Sequence, residues 1–178
     1  MNATTLPRLA FVAASGTGKT TLLEQLIPLL GAHGLRLAIV KHTHHDFDMD
    51  SPGKDSYRLR AAGAGQVLLA SRRRWALLTE HAELQAEPRL DELLTALDAT
   101  RTDLVLVEGF KHERLPKIEL YRAALGSPLL CSHDKQIIAL ACDAAPDPRP
   151  ALPLLDLNDP PAVAQFIYQR FTQGALFA

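Results

Sequence analysis

Cysteine is scarce in this chain, and neither a strong charge bias nor a long apolar run is present. The 178 residues include two cysteines, Cys131 and Cys142. Two thiols make neither a disulfide framework nor a zinc site of their own. No apolar stretch approaches the ~20 residues that a bilayer-crossing helix needs, so no membrane role is expected. The N-terminal residues lack the basic-then-apolar pattern of a secretory leader, and a reducing cytoplasm is the expected location. Formal net charge is −1, so no global basic field gathers nucleic acid. Repeats, a dividing linker, an Asn-Lys-x-Asp motif, a long histidine tract and a Cys-x-x-Cys metal relay are also absent.

What is present is the composition of an ordinary globule, 47% apolar and 22% charged. That is enough for one domain, residues 1–178, with a full core. Strand-like and helix-like segments alternate, which predicts an α/β fold with a mostly parallel sheet flanked by helices. Strands are expected at 8–12, 37–41, 103–107, 117–121 and 137–142, with a short last one at Leu154-Leu155. Helices are expected at about 20–32, 56–62, 90–97 and 160–171. Pro28 predicts a kink or an early end in the first of these. Gly34 is placed to end it. Asp159 is a plausible N-cap for the last, with Pro160 in its first turn. Residues 66–70 and 75–79 read as a β-hairpin extension spanning about 66–80.

The most informative segment is Ala13-Ala14-Ser15-Gly16-Thr17-Gly18-Lys19-Thr20-Thr21. It comes after an apolar run and leads directly into a helical pattern. Strand, glycine-bearing turn and helix make the context of a phosphate-binding P-loop. Ser15, Gly16, Thr17, Gly18, Lys19, Thr20 and Thr21 are the candidate phosphate cradle. Gly16 and Gly18 allow the backbone to turn its N–H groups inward. Lys19 would reach the terminal phosphates, and the Thr20 hydroxyl would take a Mg²⁺ position. The usual pattern has glycine where this chain has Ala13, which suits alanine if φ there is negative.

A nucleotidase also needs an acid near the metal. Glu108, with Gly109 after it, ends a nearly all-apolar strand, and ligands gather at the carboxyl edge of such sheets. Glu108 is thus the candidate to hold the metal through water or to orient an attacking water. Asp103, at the far end of the same strand, suits a solvated role. A second cluster is His42, His44, His45, Asp46, Asp48 and Asp50. In an extended chain, His42, His44, Asp46, Asp48 and Asp50 share one face. Such a row could bind Zn²⁺ or Ni²⁺ through imidazole or Mg²⁺ through carboxylate, or close as a loop on a triphosphate. Arg72, Arg73 and Arg74 sit at the hairpin tip, where a solvated turn is the plain reading, and Trp75 beside them suits packing. Asp143, after a strand, could accept both N1–H and the 2-amino group of guanine.

Taken together, 11–21, 40–46, 52–56 and Val107-Glu108-Gly109-Phe110-Lys111-His112 resemble the MobB family, which acts in molybdopterin-guanine dinucleotide biosynthesis. The His-Thr-His-His-Asp and Glu-Gly-Phe-Lys-His segments carry the likeness more specifically than the P-loop does, and Ala13 suits that family. The resemblance implies a P-loop NTPase-like fold, GTP as the nucleotide and weak GTPase activity. It implies a homodimer whose strands interlock. It also implies an adaptor role beside the guanylyltransferase that joins GMP to molybdenum–molybdopterin. On the family's pattern, residues 15–21 would meet phosphate and Mg²⁺ and Glu108 the metal side; the resemblance also carries over Asp143 and the His44-His45-Asp46 group, with His45 and Asp46 as metal candidates.

The residues also point to slow turnover. Fast phosphoryl transfer needs an arginine finger or a water-positioning glutamine, and no residue is evidently fixed for either task. An arginine from the hairpin of a second subunit would serve only in a dimer. Two other functions fit the same motifs. One is a nickel or zinc metallochaperone GTPase using His42, His44 and His45. The other is a small-molecule P-loop kinase, for which a hairpin makes a poor lid.

Overall fold

Alternation of apolar segments with helix-forming ones produces the order seen in a computed structural model, which describes residues 6–43, 48–80 and 87–176. The elements are β1 (Arg8–Ala13), α1 (Lys19–Ala32), β2 (Leu37–Lys41), α2 (Asp55–Ala61), β3 (Gln66–Ala70), β4 (Trp75–Thr79), α3 (Leu90–Leu94), β5 (Leu104–Glu108), β6 (Lys117–Tyr121), β7 (Ile137–Cys142), β8 (Leu154–Asp156) and α4 (Pro160–Thr172). The chain forms two compact units, Met1–His42 with Arg89–Ala178, and Thr43–Pro88.

The first unit is built on a six-stranded sheet of order β2-β5-β1-β6-β7-β8, parallel throughout. Strands β1, β5 and β7 are almost wholly apolar on both faces, as burial on both sides favours. On one face Leu9, Phe11, Leu106, Ile118 and Ala139 meet Leu22, Leu26 and Leu30 of α1 and Val163 and Ile167 of α4. On the other, Ala10, Val105 and Val107 pack with Val40, Phe110, Leu115 and the α3 residues Leu90 and Leu94. Parallel strands place all their carboxyl ends at one edge. Because β1 lies between β5 and β6, the loop leaving β1 emerges between the loops leaving β5 and β6. That is the crevice where open α/β sheets take ligands.

Several local expectations change. Helix α1 runs past Pro28 without an early end. Proline removes one N–H bond, but Leu26 and Leu30 on either side are fully buried, and their packing carries the helix onward. Gly34 then closes it at φ +84°, donating to Gly31 O. Helix α3 stops at Leu94 rather than 97 because the Thr95 hydroxyl turns back to donate to Glu92 O at 2.6 Å. In α4, Asp159 accepts from the Ala162 N–H at 3.1 Å, and Pro160 opens the helix.

The second unit holds α2 and the antiparallel hairpin of β3 and β4, which forms a two-stranded sheet of its own. Helix α2 packs on β3. Arg60 of α2 pairs with both Asp48 and Glu80, which ties the start of this unit to the strand end after the hairpin.

Candidate functional site

The segment after β1 folds as a compact turn that passes straight into α1. Ala13 ends the strand opposite Leu120, with φ outside the left-handed region. Gly16 and Gly18 take φ +79° and +96°, angles that side-chain-bearing residues rarely adopt. Thr17 holds the turn together. It is 1% exposed, and both its hydroxyl (2.8 Å) and its N–H (3.4 Å) donate to Ala14 O. Its side chain is therefore a brace rather than a ligand. The N–H groups of Gly16, Gly18, Lys19, Thr20 and Thr21 meet no protein acceptor among the described residues. Unpaired donors at a helix N-terminus, reinforced by the helix dipole, form an anion site. A Cβ on Gly16 would meet nothing within 4 Å, so the space in front of the loop is open.

Glu108, at the end of β5, faces this turn. Its carboxylate lies 3.6 Å from Lys19 Nζ and 3.4 Å from Lys41 Nζ, with only 13% of its side chain exposed. These ion pairs are long, so the three groups are close without being locked. Lys41 ends β2 and pairs in register with Glu108; sequence reading did not single it out. Beyond Glu108 the chain turns through Gly109 (φ +90°) and Phe110 (φ +50°). A Cβ on Gly109 would come within 2.8 Å of His42 Cβ. His42 thus fills the corner, donating its N–H to Glu108 O at 2.9 Å and setting its ring 4.9 Å from that of Phe110.

On the β6 side stands a residue the sequence did not reveal. Arg122 comes directly after β6, and its Nε donates to Thr17 O at 2.8 Å. Its Nη2 would lie 3.5 Å from a Cβ on Gly18. Sequence reading found no arginine fixed at the P-loop; the fold brings one there because β6 neighbours β1. Asp143, after β7, accepts from the Ala123 N–H at 3.0 Å and lies 3.6 Å from Arg122. The Ala123 bond, with Arg122 nearby, holds its carboxyl below the usual carboxylate range. Gly18, Thr21, Gln25, Arg122, Leu157 and Asn158 line a hollow of about 280 Å³ beside the loop. The signal for Arg122 and Asn158 was their place at the carboxyl edge after β6 and β8, which sequence reading applied only to acids.

The histidine–aspartate row divides. His42 lies in the first unit; His44, His45 and Asp46 lie outside the described residues. Asp48 and Asp50 are not in an extended strand. Asp48 accepts from the Asp50 N–H at 2.9 Å and pairs with Arg60, because an aspartate can close a local turn on its own backbone. Among the described residues no group of three or more His, Cys, Asp or Glu is placed to hold a metal ion. Arg72, Arg73 and Arg74 occupy an exposed turn. Trp75 does not pack inside the chain but is 64% exposed, on the hairpin's outer face. Burial pushes the Cys131 thiol up to about 11.

Known proteins resemble this chain over most of its length. The family described as molybdopterin guanine dinucleotide synthesis protein B matches residues 8–143. The molybdopterin-guanine dinucleotide biosynthesis adapter protein of Escherichia coli K12 is 50% identical over 167 residues, spanning 93% of this chain and 94% of that one. Its namesake in Haemophilus influenzae is 44% identical over 162 residues, spanning 91% and 88%. The crystal structure of a MobB homologue from Bacillus stearothermophilus aligns with a TM-score of 0.70 at 25% identity, covering 94% of this chain and 99% of that one.

Proposed function

The chain belongs to the MobB family, and from that premise we propose that it is a GTP-binding adaptor in molybdopterin-guanine dinucleotide biosynthesis, with at most slow GTPase activity. The observation that carries this reading is the set of amides of Gly16, Gly18, Lys19, Thr20 and Thr21, unpartnered among the described residues and set beside the Lys19 and Glu108 side chains.

Those amides and Lys19 would hold the phosphate chain of GTP. The hollow beside Gly18 lies on the β6 side of the loop, away from Glu108 on the β5 side. It suits the nucleoside end, with Asn158, Arg122 and Asp143 nearby to read guanine. A divalent cation would be held on the other side by the Thr20 hydroxyl, from the first turn of α1, and by Glu108, from the end of β5. When bound, Mg²⁺ would neutralise phosphate charge. Lys19, drawn toward phosphate, would release Glu108 to orient water. His45 and Asp46 remain candidates for the metal side.

Weak hydrolysis has a structural rationale. Arg122 is committed to Thr17 O on the β6 side, so it does not face the water that Glu108 would position. An adaptor needs a nucleotide held rather than spent. We place the protein in the cytoplasm, as one 178-residue P-loop protein with its hairpin extension, working with the guanylyltransferase that joins GMP to molybdenum–molybdopterin. A homodimer is expected through the outer face of the hairpin, where Leu68, Trp75 and Leu77 share one side of the ribbon.

Calorimetric titration tests the reading. GTP with Mg²⁺ is expected to bind more tightly than ATP. Lys19→Ala is expected to weaken GTP by about 100-fold, the equivalent of one strong charge-assisted contact, with an unchanged far-UV CD spectrum. Preference for ATP, or unaltered affinity in the variant, would overturn it.

A further inference from the structure

The motif Glu-Gly-Phe-Lys-His is only half used by the nucleotide site. Glu108 faces the P-loop, but Lys111 and His112 line a different hollow of about 600 Å³. Two consecutive left-handed residues, Gly109 and Phe110, redirect the chain between them. A buried phenylalanine at φ +50° is strained backbone that the surroundings must hold in place.

The floor of this hollow is unusual for a parallel sheet. Register places Lys117 beside Ala10 and Glu119 beside Val12, so the two fully buried residues of β6 on this face are charged. Lys117 is 2% exposed and Glu119 3%. A buried charge is costly unless paired and hydrogen-bonded, and both are. Lys117 Nζ donates to Asp134 at 2.6 Å and to Lys111 O at 2.8 Å. Glu119 accepts from the N–H groups of Leu130 and Cys131 at 2.7 and 2.8 Å. These bonds fix the two loops that wall the hollow, 109–116 and 126–136, to one strand. The walls are thus held by charge where an apolar filling would have been simpler.

The walls themselves are basic. Lys117 and Asp134 cancel, which leaves Lys111, Arg114 and Lys135 against Glu113. Among the described residues none of these three cations makes a salt bridge. His112 and His133 line the same space and can add N–H donors. In a chain of net charge −1, three unspent cations around one concavity make a local anion trap.

We propose that this hollow is a second binding site, for a small molecule bearing a phosphate monoester. The assignment rests on the function proposed above. A guanine dinucleotide joins two phosphate-bearing halves, and GTP supplies only one of them. The other half brings a dianionic phosphate on an organic body, which a basic hollow of this size admits. Lys111, Arg114 and Lys135 grip the phosphate, and Val12 and Leu130 contact the body. The two sites are linked through two residues, Gly109 and Phe110, between Glu108 and Lys111.

The test uses the full chain saturated with GDP and Mg²⁺, so that phosphate cannot enter the P-loop, with phenyl phosphate as the probe. Amide NMR is expected to show saturable shifts at 111–114 and 133–136, and much weaker ones with the monoanion phenyl sulfate. The double variant Lys111→Glu, Lys135→Glu is expected to weaken phenyl phosphate by at least about tenfold while holding GDP within about twofold. Arg114→Gln, a milder change, is expected to weaken the probe in the same direction should the double variant fold poorly. Silent amides at both segments in GDP-loaded protein, or shifts undiminished in the variants, overturn the second site. Tighter binding of a phosphoserine peptide overturns its assignment to a small molecule. Failure of the unmodified protein to hold GDP would instead refute the nucleotide reading, since GDP affinity is measured on the same samples.

Discussion

Glu108 stands between two ammonium groups, and that position defines what its substitution should do. A glutamine keeps the shape but gives up the charge that Lys19 and Lys41 now face at 3.6 and 3.4 Å. Removing a carboxylate near bound triphosphate relieves repulsion, so Glu108→Gln is expected to keep GTP affinity within about threefold. Hydrolysis is expected to fall by about tenfold or more if Glu108 orients the attacking water as proposed. Single-turnover measurement separates the two, and hydrolysis that survives unchanged would reduce Glu108 to a structural role. Lys19 and Glu108 were legible in the sequence for physical reasons: one has fixed spacing from two glycines, the other ends an apolar strand. Lys41, Arg122 and Asn158 carry no such spacing. They reach the site only through strand order, and adjacency in a sheet is not written along the chain. Spacing puts Thr17 in the cradle, but only the fold shows its hydroxyl turned inward to Ala14 O.

Elements depend on similar local contacts where strands begin. Arg36 precedes β2 and Asp103 precedes β5, and the guanidinium meets the carboxylate at 2.8 and 2.6 Å. Asp103 also accepts the Arg36 N–H at 2.8 Å. The Arg36 side chain bonds hold the Asp103 carboxyl down to about 2, from an ordinary 3.8. A lowered folded-state pKa stabilises above the unfolded value and is lost as pH falls through the folded one. Asp103→Asn is therefore expected to lower stability at neutral pH by about 1 kcal/mol, since the pair is partly exposed. The difference should shrink between about pH 4 and pH 2, measured by thermal denaturation; a gap that stays constant over that window would show that the pair does not contribute through charge. Element types were largely legible, since strands β3, β4, β6 and β7 keep the bounds read from their apolar runs. Boundaries failed where a side chain intervened. Thr95 shortens α3, and Asp48 folds a turn where an extended row was expected. In α1, burial of Leu26 and Leu30 accompanies a helix that continues past Pro28 without the early end that proline allowed.

At the scale of the whole molecule, the hairpin is the feature a single chain leaves incomplete. Two-stranded ribbons are marginal alone in water. Register puts Leu68, Leu77 and Trp75 on one face and Val67, Leu69, Ala76 and Leu78 on the other. On the first face Leu68 is 62% exposed, Trp75 64% and Leu77 49%. Three large apolar side chains on one exposed face mark a contact surface, and a second copy of the chain presents the same face for an isologous pairing. The double variant Leu68→Lys, Leu77→Lys puts two like charges directly opposite each other on that face. Sedimentation velocity is expected to give a dimer for the unmodified protein and a monomer for the variant. GTP binding per chain should persist, because every P-loop and Glu108 contact described lies in the other unit. A variant that stays dimeric would move the interface elsewhere. Concurrent loss of GTP binding would instead mean that the second copy completes the nucleotide site, and would bring the arginines at the hairpin tip into the chemistry.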